Sequence, residues 1–198
     1  MTDVAAFDVD GTLTVSDTVV PFLTAVAGRA RVGAALSRSV LRWPGDRDRV
    51  KAGLVRRTLA GVDAHRLASV GAEVASTVVA QRLRPVVLGR LRWHLDAGHT
   101  VVLVSASLRP YLDPLAAALG VAHVLCTELV VDADGRCTGE LLGANCRGVH
   151  KVERLREWAS PEDRVVAAYG DARSDGPMLS MADEGWWVRS GRLVRAGA

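Results

Sequence analysis

The chain predicts an α/β protein built on a doubly wound parallel sheet, and three observations carry that reading. Short apolar runs, Val4 to Phe7, Thr100 to Val104 and Val165 to Tyr169, have the length and β-branched content of buried strands. Each ends in residues too polar for a strand interior: Asp8-Val9-Asp10-Gly11-Thr12, Ser105-Ala106-Ser107 and Gly170-Asp171-Ala172-Arg173-Ser174-Asp175. Segments of helical period lie between them, the alternation that makes parallel crossovers. In an open sheet of this kind ligands collect outside the carboxyl ends of the strands, so these polar residues converge on one crevice.

The first run delivers two carboxylates to the mouth of a strand. Side chains two apart on a strand point the same way, so Asp8 and Asp10 are expected to face one small volume. Such a pair repels itself. The remedies are a bound hard cation, or unequal pKa values that make one group a nucleophile and the other an acid. Gly11 permits a sharp turn that brings backbone N–H groups to an anion, and Thr12 can add a hydroxyl donor. Taken alone, D-x-D-G is as readily an Asp-Gly turn, so the later fragments decide its meaning.

A strand-helix-strand unit takes about 30 residues, whereas nearly a hundred separate Asp8 from Ser105. Thr18 to Ala27, Val32 to Leu41, Asp46 to Leu59 and Ala64 to Gln81 read as helices, punctuated by Gly28, Pro44-Gly45 and Gly61-Val62-Asp63. They predict a helical cap over 17–84 inserted into a core formed by 1–16 and 85–198. A helix from Pro85 to Ala97 stops at Gly98 and feeds the second strand. Beyond Ser107, a helix from Arg109 to Leu119 leads to a strand from Ala122 to Thr127. Glu128 to Leu142 reads as a β-hairpin about Asp132-Ala133-Asp134-Gly135. Asp132 and Asp134 lack the rest of a calcium loop, so turn chemistry accounts for them. The helix His150 to Trp158 carries Lys151 in its first turns, and Trp186-Trp187-Val188 belongs to a late apolar strand whose aromatic pair is expected in the core.

At 198 residues and 49% hydrophobic, the chain can bury a substantial core without disulfides or structural metal. Its three cysteines, Cys126, Cys137 and Cys146, show no C-x-x-C spacing. No apolar run reaches the roughly 18 residues needed to span a bilayer, and the first strand begins too early for a secretory signal, so a cytoplasmic location is expected. Charge is uneven. Gly28 to His94 holds 14 basic against 4 acidic residues, while the remainder holds 11 basic against 18 acidic. A basic lid over an acidic core suits a metal-dependent site that draws in phosphate anions, and one or two of Arg49, Lys51, Arg56 and Arg57 are expected to reach that site. The mixture of apolar residues and arginines from Val19 to Leu41 also allows peripheral contact with an anionic membrane. Nucleic acid is not expected as a partner, because the net charge is only +3 and no aromatics interleave the basic residues. Nothing in the pattern specifies an oligomer. The chain has only two lysines, Lys51 and Lys151, which marks Lys151 as a deliberate choice where a compact ammonium fits and a planar guanidinium does not.

These fragments, D-x-D-G-T-L, a Ser after the second strand, a distant Lys and G-D-x-x-x-D, resemble in that order the haloacid dehalogenase superfamily. The helical insertion, Gly143-Ala144-Asn145-Cys146-Arg147-Gly148 before Lys151, and Trp186-Trp187-Val188 resemble its phosphoserine-phosphatase-like subgroup, with a Rossmann-like core and a helical cap. The resemblance implies a phosphatase in which Asp8 becomes a transient aspartyl-phosphate and Asp10 serves as general acid and then base. It implies Mg2+ held by Asp8, the Asp10 backbone carbonyl and Asp171, with Asp175 supporting the metal from behind. Ser105 and Lys151 would bind the phosphoryl oxygens, with Thr12 and Ala106 in the same anion pocket. Phosphoserine-specific relatives carry Glu nine residues after the nucleophile, where this chain has Asp17. Their cap arginine has only the near counterparts Arg56 and Arg57. The resemblance therefore implies a small phosphorylated metabolite, phosphoserine-like or other, with a lipid phosphate such as phosphatidylglycerophosphate as the alternative. A phosphotransferase could use the same intermediate. A non-catalytic binding module on this scaffold would be expected to lose a working residue, and a dehalogenase would not need Asp10 as an acid.

Overall fold

The computed structural model describes residues 2–197. A seven-stranded sheet, ordered β4-β3-β2-β1-β5-β6-β7, forms the centre of the protein. The strands are β1 (Asp3–Phe7), β2 (Thr100–Leu108), β3 (His123–Val131), β4 (Cys137–Leu142), β5 (Arg164–Gly170), β6 (Glu184–Arg189) and β7 (Arg192–Arg195). The five inner strands run parallel, and β4 and β7 close the two edges antiparallel. The central β1 is buried on both faces, its Ala5 and Phe7 belonging to one apolar cluster and its Val4 and Ala6 to the other. That two-sided burial is why the segment reads as an unbroken apolar run. The chain builds β2 and β3 on one side of β1 and β5 and β6 on the other. The order therefore reverses at β1, where a crevice opens at the strand ends.

Helices cover both faces. Val87 and Leu91 of α5 (Pro85–Asp96) and Tyr111, Leu112 and Leu115 of α6 (Arg109–Ala118) pack on one face. Val152 and Leu155 of α7 (Val149–Trp158) and Met178 and Leu179 of α8 (Gly176–Met181) pack on the other. The insertion contributes α1 (Val19–Ala27), α2 (Arg29–Arg42), α3 (Arg47–Leu59) and α4 (Ala64–Gln81). Its ends are fastened together: Thr14 bridges Leu83, and Val15 N–H donates to the Arg82 carbonyl at 2.9 Å. Phe22, Leu54, Val55, Leu59, Leu67 and Ala75 of these helices join the α5–α6 side of the sheet in one continuous apolar cluster. The approach of α4 to α6 is so close that a Cβ on Gly71 would lie 2.0 Å from the Pro110 carbonyl oxygen. Among the described residues no helix is long and apolar enough to cross a membrane.

Several local expectations are corrected. β1 stops at Phe7, so Asp8 and Asp10 do not stand on a strand. Val9 to Leu13 instead winds into one wide turn closed by Thr14 N–H on the Val9 carbonyl at 2.9 Å, with Gly11 at φ +81°. β3 is longer than its apolar run because it serves two partners. It pairs first with β2, from Val102↔His123 onward, and then with β4 across the hairpin. Asp132 Oδ1 accepts from Asp134 N–H and Arg136 N–H and so builds the expected turn. The short α8 and β7 carry too few residues to show a period and were not anticipated.

Candidate active site

Three strand ends deliver the polar floor of a cavity of about 650 Å³, roofed by α1 to α3. Asp8 follows β1, Ser105 and Ala106 lie in β2, and Asp171 and Asp175 follow β5. Lys151 reaches the same place from the first turn of α7, buried to 2% exposure, and donates to Asp8 Oδ1 at 2.5 Å and Asp175 Oδ1 at 2.7 Å. Burial works against this ammonium, but its two carboxylate partners outweigh it and hold the pKa above the ordinary lysine value. Asp8 Oδ2 has no donor among the described residues. Burial pushes the Asp8 carboxyl above the ordinary carboxylate value against the pull of Lys151, and Asp175 adds to the rise.

The second carboxylate is held apart from this cluster. Asp10 Oδ1 accepts from Thr18 N–H at 2.9 Å and Thr18 Oγ1 at 2.6 Å, and Oδ2 accepts from Ser107 Oγ at 2.5 Å. Burial, with the charge of Asp17, raises Asp10 to about 6, although the bonds from Ser107 and Thr18 oppose the shift. Asp8 and Asp10 thus occupy different environments on one turn, the arrangement that separates a nucleophile from an acid. Ser107 was weakly marked in the sequence, and Thr18 was marked only as a helix start. Both hold the carboxylate that the motif placed there.

Asp8, Asp171 and Asp175 each bring a carboxylate oxygen within 4.8 Å of the others. Both Asp175 oxygens are already engaged, Oδ1 by Lys151 and Oδ2 by Asp171 N–H at 3.1 Å and Ala172 N–H at 2.9 Å. Asp175 is therefore a brace, whereas Asp8 and Asp171 keep free oxygens. Burial and the Asp175 charge raise Asp171 as well. So much clustered negative charge, with one lysine against three carboxylates, fits a hard divalent cation. A Cβ on Gly11 would come within 2.3 Å of Asp171 Oδ2, so the glycine lets this carboxylate swing over the turn. Thr12 is corrected from phosphate donor to support: its buried hydroxyl donates to Asp171 Oδ1 at 3.4 Å and does not line the cavity. Ser105 Oγ accepts from Ser107 N–H at 3.1 Å, which leaves its own proton free for an incoming oxygen.

The cap sends in Lys51. Its Nζ donates to the Ala106 carbonyl, to Asn145 Oδ1 at 2.6 Å and to Thr127 Oγ1 at 3.1 Å, while Asn145 Nδ2 donates to Asp48 Oδ1 at 2.6 Å. Burial lowers the Lys51 ammonium to about 8. The other cap candidates are corrected. Arg57 turns back to the Gly53 carbonyl at 3.0 Å, Arg56 lines a separate outer hollow with Trp43, and Arg49 pairs with Asp46 in solvent. Asp17 lines the cavity from an exposed position and caps α1 through Val20 N–H at 3.0 Å. Asn145 and Thr127 carried no sequence signal beyond the N-C-R-G stretch.

The family described as haloacid dehalogenase-like hydrolase matches residues 5–180. The protein CicA of Caulobacter vibrioides is 38% identical over 183 residues, covering 90% of this chain and 82% of its own. A Bordetella pertussis protein of unknown function has a structure similar at TM-score 0.79 and 26% identity, over 93% of this chain and 89% of that one. A probable phosphoserine phosphatase of Vibrio cholerae shares the fold at TM-score 0.63 and 16% identity, over 93% of this chain and 55% of that one. The chain belongs to the haloacid dehalogenase-like hydrolase family.

Proposed function

We propose that the protein is a magnesium-dependent phosphatase that cleaves small phosphomonoesters through a phosphorylated Asp8. The observation that carries this reading is the single cavity in which an unencumbered Asp8 Oδ2, a separately held Asp10, Lys151 and Asp171 face the same space. Relatives named as phosphatases agree with it.

In this reading Asp8 Oδ2 attacks phosphorus, the ester P–O bond breaks, and the proton on Asp10 passes to the departing alkoxide. Asp10 then takes a proton from water, whose oxygen attacks the same phosphorus and breaks the bond to Asp8, releasing inorganic phosphate. A carboxyl raised to about 6 exchanges its proton readily in both directions near neutral pH. Lys151 and the Ser105 hydroxyl offset the charge on the transferring oxygens, and Asp175 holds Lys151 in place. Asp8, the Asp10 backbone carbonyl and Asp171 would hold Mg2+, which when bound supplies electrostatic stabilisation of the phosphoryl oxygens. With every working residue present, a purely non-catalytic module is the weaker reading.

The test is phosphate release from 4-nitrophenyl phosphate with and without EDTA, comparing wild type with Asp8→Asn and Asp10→Asn. Activity that needs the metal and falls by about 10³-fold or more in Asp8→Asn is expected. Equal activity in wild type and Asp8→Asn would end the proposal.

A further inference from the structure

The cavity has two unlike halves. Its floor is the charged cluster just described, but its roof carries an aliphatic patch: Val19 and Val20 from α1, Leu36 and Val40 from α2, and Leu54 from α3 all line it. Val20, Leu36 and Val40 are 39%, 36% and 49% exposed. Leu36 and Val40 stand one helical turn apart, so they share a face of α2. Uncovered aliphatic side chains opposite a phosphate site are surface that a ligand can take out of water.

The polar groups of the roof are already committed. The three Lys51 protons go to Ala106, Thr127 and Asn145, and Asp48 receives Asn145. Asp46 caps α3 through Arg49 N–H at 3.0 Å and pairs with its side chain at 3.3 Å. Asp17, the remaining carboxylate of the roof, is solvent-exposed and caps α1. The other charged linings from outside the catalytic floor, Arg47 and Arg147, are cations. They suit an anionic ester and leave an amine without a buried counter-ion.

Resting on the phosphatase reading, we propose that the substrate is a phosphomonoester with an aliphatic body: the phosphate lies on the floor and the hydrocarbon lies against Val20, Leu36 and Val40. The same chemistry could come from a soluble alkyl phosphate or from a lipid in a bilayer. The experiment measures kcat/KM with magnesium for ethyl, butyl and hexyl phosphate below their aggregation limits, for O-phosphoserine, and for phosphatidic acid in phosphatidylcholine vesicles. Wild type is compared with Leu36→Asp/Val40→Asp, whose positions are on the surface, and the readout is the slope of log kcat/KM against chain length.

A rise of up to about fourfold per buried methylene, flattened in the double variant, is the expected result. Turnover of vesicle phosphatidic acid with that slope assigns the lipid source, and hexyl phosphate turnover without it assigns the soluble one. A flat wild-type slope, or O-phosphoserine preferred over hexyl phosphate, overturns the aliphatic body while 4-nitrophenyl phosphate hydrolysis lost in Asp8→Asn keeps the phosphatase. No hydrolysis of any ester overturns both.

Discussion

Gly11 shows how one residue couples backbone to chemistry. Its positive φ makes the turn after Asp8, and its missing side chain is the space into which Asp171 leans. Gly11→Ala would combine a left-handed backbone that disfavours a Cβ, about 1 kcal/mol, with a collision against Asp171, which would hold the proposed magnesium. The expected outcome is a 10- to 100-fold increase in the magnesium concentration needed for half-maximal activity, read from a metal titration of initial rates. Asp8, Asp10 and Asp171 stood out in the chain because charge at the end of an apolar run has no packing explanation, and Lys151 stood out because the chain has only two lysines. Thr18, Thr127 and Asn145 did not, because a hydroxyl or amide in a loop or helix start has many ordinary uses. Of the four cations nominated by net charge, Arg49, Lys51, Arg56 and Arg57, Lys51 is the one that lines the cavity, and net charge by itself could not choose among them.

At the scale of elements, α3 ties the cap to the core through that lysine. Lys51 holds the carbonyl of Ala106, in the irregular end of β2 that would receive the phosphate, and orders Asn145 and Thr127 behind it. Lys51→Met would leave buried acceptors without donors, a loss of about 1–3 kcal/mol, and would loosen the end of β2 under the phosphate. We expect a lower melting temperature and about a tenfold fall in kcat/KM, measured by thermal unfolding and steady-state kinetics. Arg49→Ala, which breaks only an exposed pair with Asp46, should stay within about 0.5 kcal/mol of wild type. The helices were legible in the sequence because their period and their Gly and Pro stops agree. Their packing was not: that α4 closes on α6, and that Gly71 is required there, depends on which two faces meet.

Across the whole molecule, the sheet is clamped to α5 by a buried aromatic cluster. Phe7 stacks on Tyr169 with ring centroids 4.3 Å apart, and His94 reaches Tyr169 Oη at 3.0 Å and His99 at 2.8 Å. Burial, with the charges of Arg90 and His99, lowers His94 to about 4. Unfolding releases the histidine to its ordinary value near 6.5, so between these two pH values the unfolded chain binds more protons than the folded one. The sign is then fixed: this contribution to stability is complete above about pH 6.5 and is lost as pH falls toward 4. The effect is of the order of 1 kcal/mol, about 2–4 °C in Tm. Melting curves at pH 7 and pH 4.5 should show this fall, smaller in His94→Gln; an identical pH response in the variant would remove His94 from the account.

What the amino-acid sequence determined by itself was everything written in local pattern. Buried strands must be apolar on both faces, helices must repeat near 3.6 residues, and carboxylates must sit where a strand ends. The α/β class, the inserted helices and the carboxylates Asp8, Asp10 and Asp171 follow from those rules, and Lys151 from the scarcity of lysine in the chain. Tertiary structure decided which cap cation meets the core, that Thr12 supports Asp171, and that aliphatic side chains of α1 and α2 look onto a charged floor. Those outcomes depend on distances between segments remote in the chain, and on how burial and hydrogen bonding divide a limited number of donors among competing acceptors, which no local period encodes.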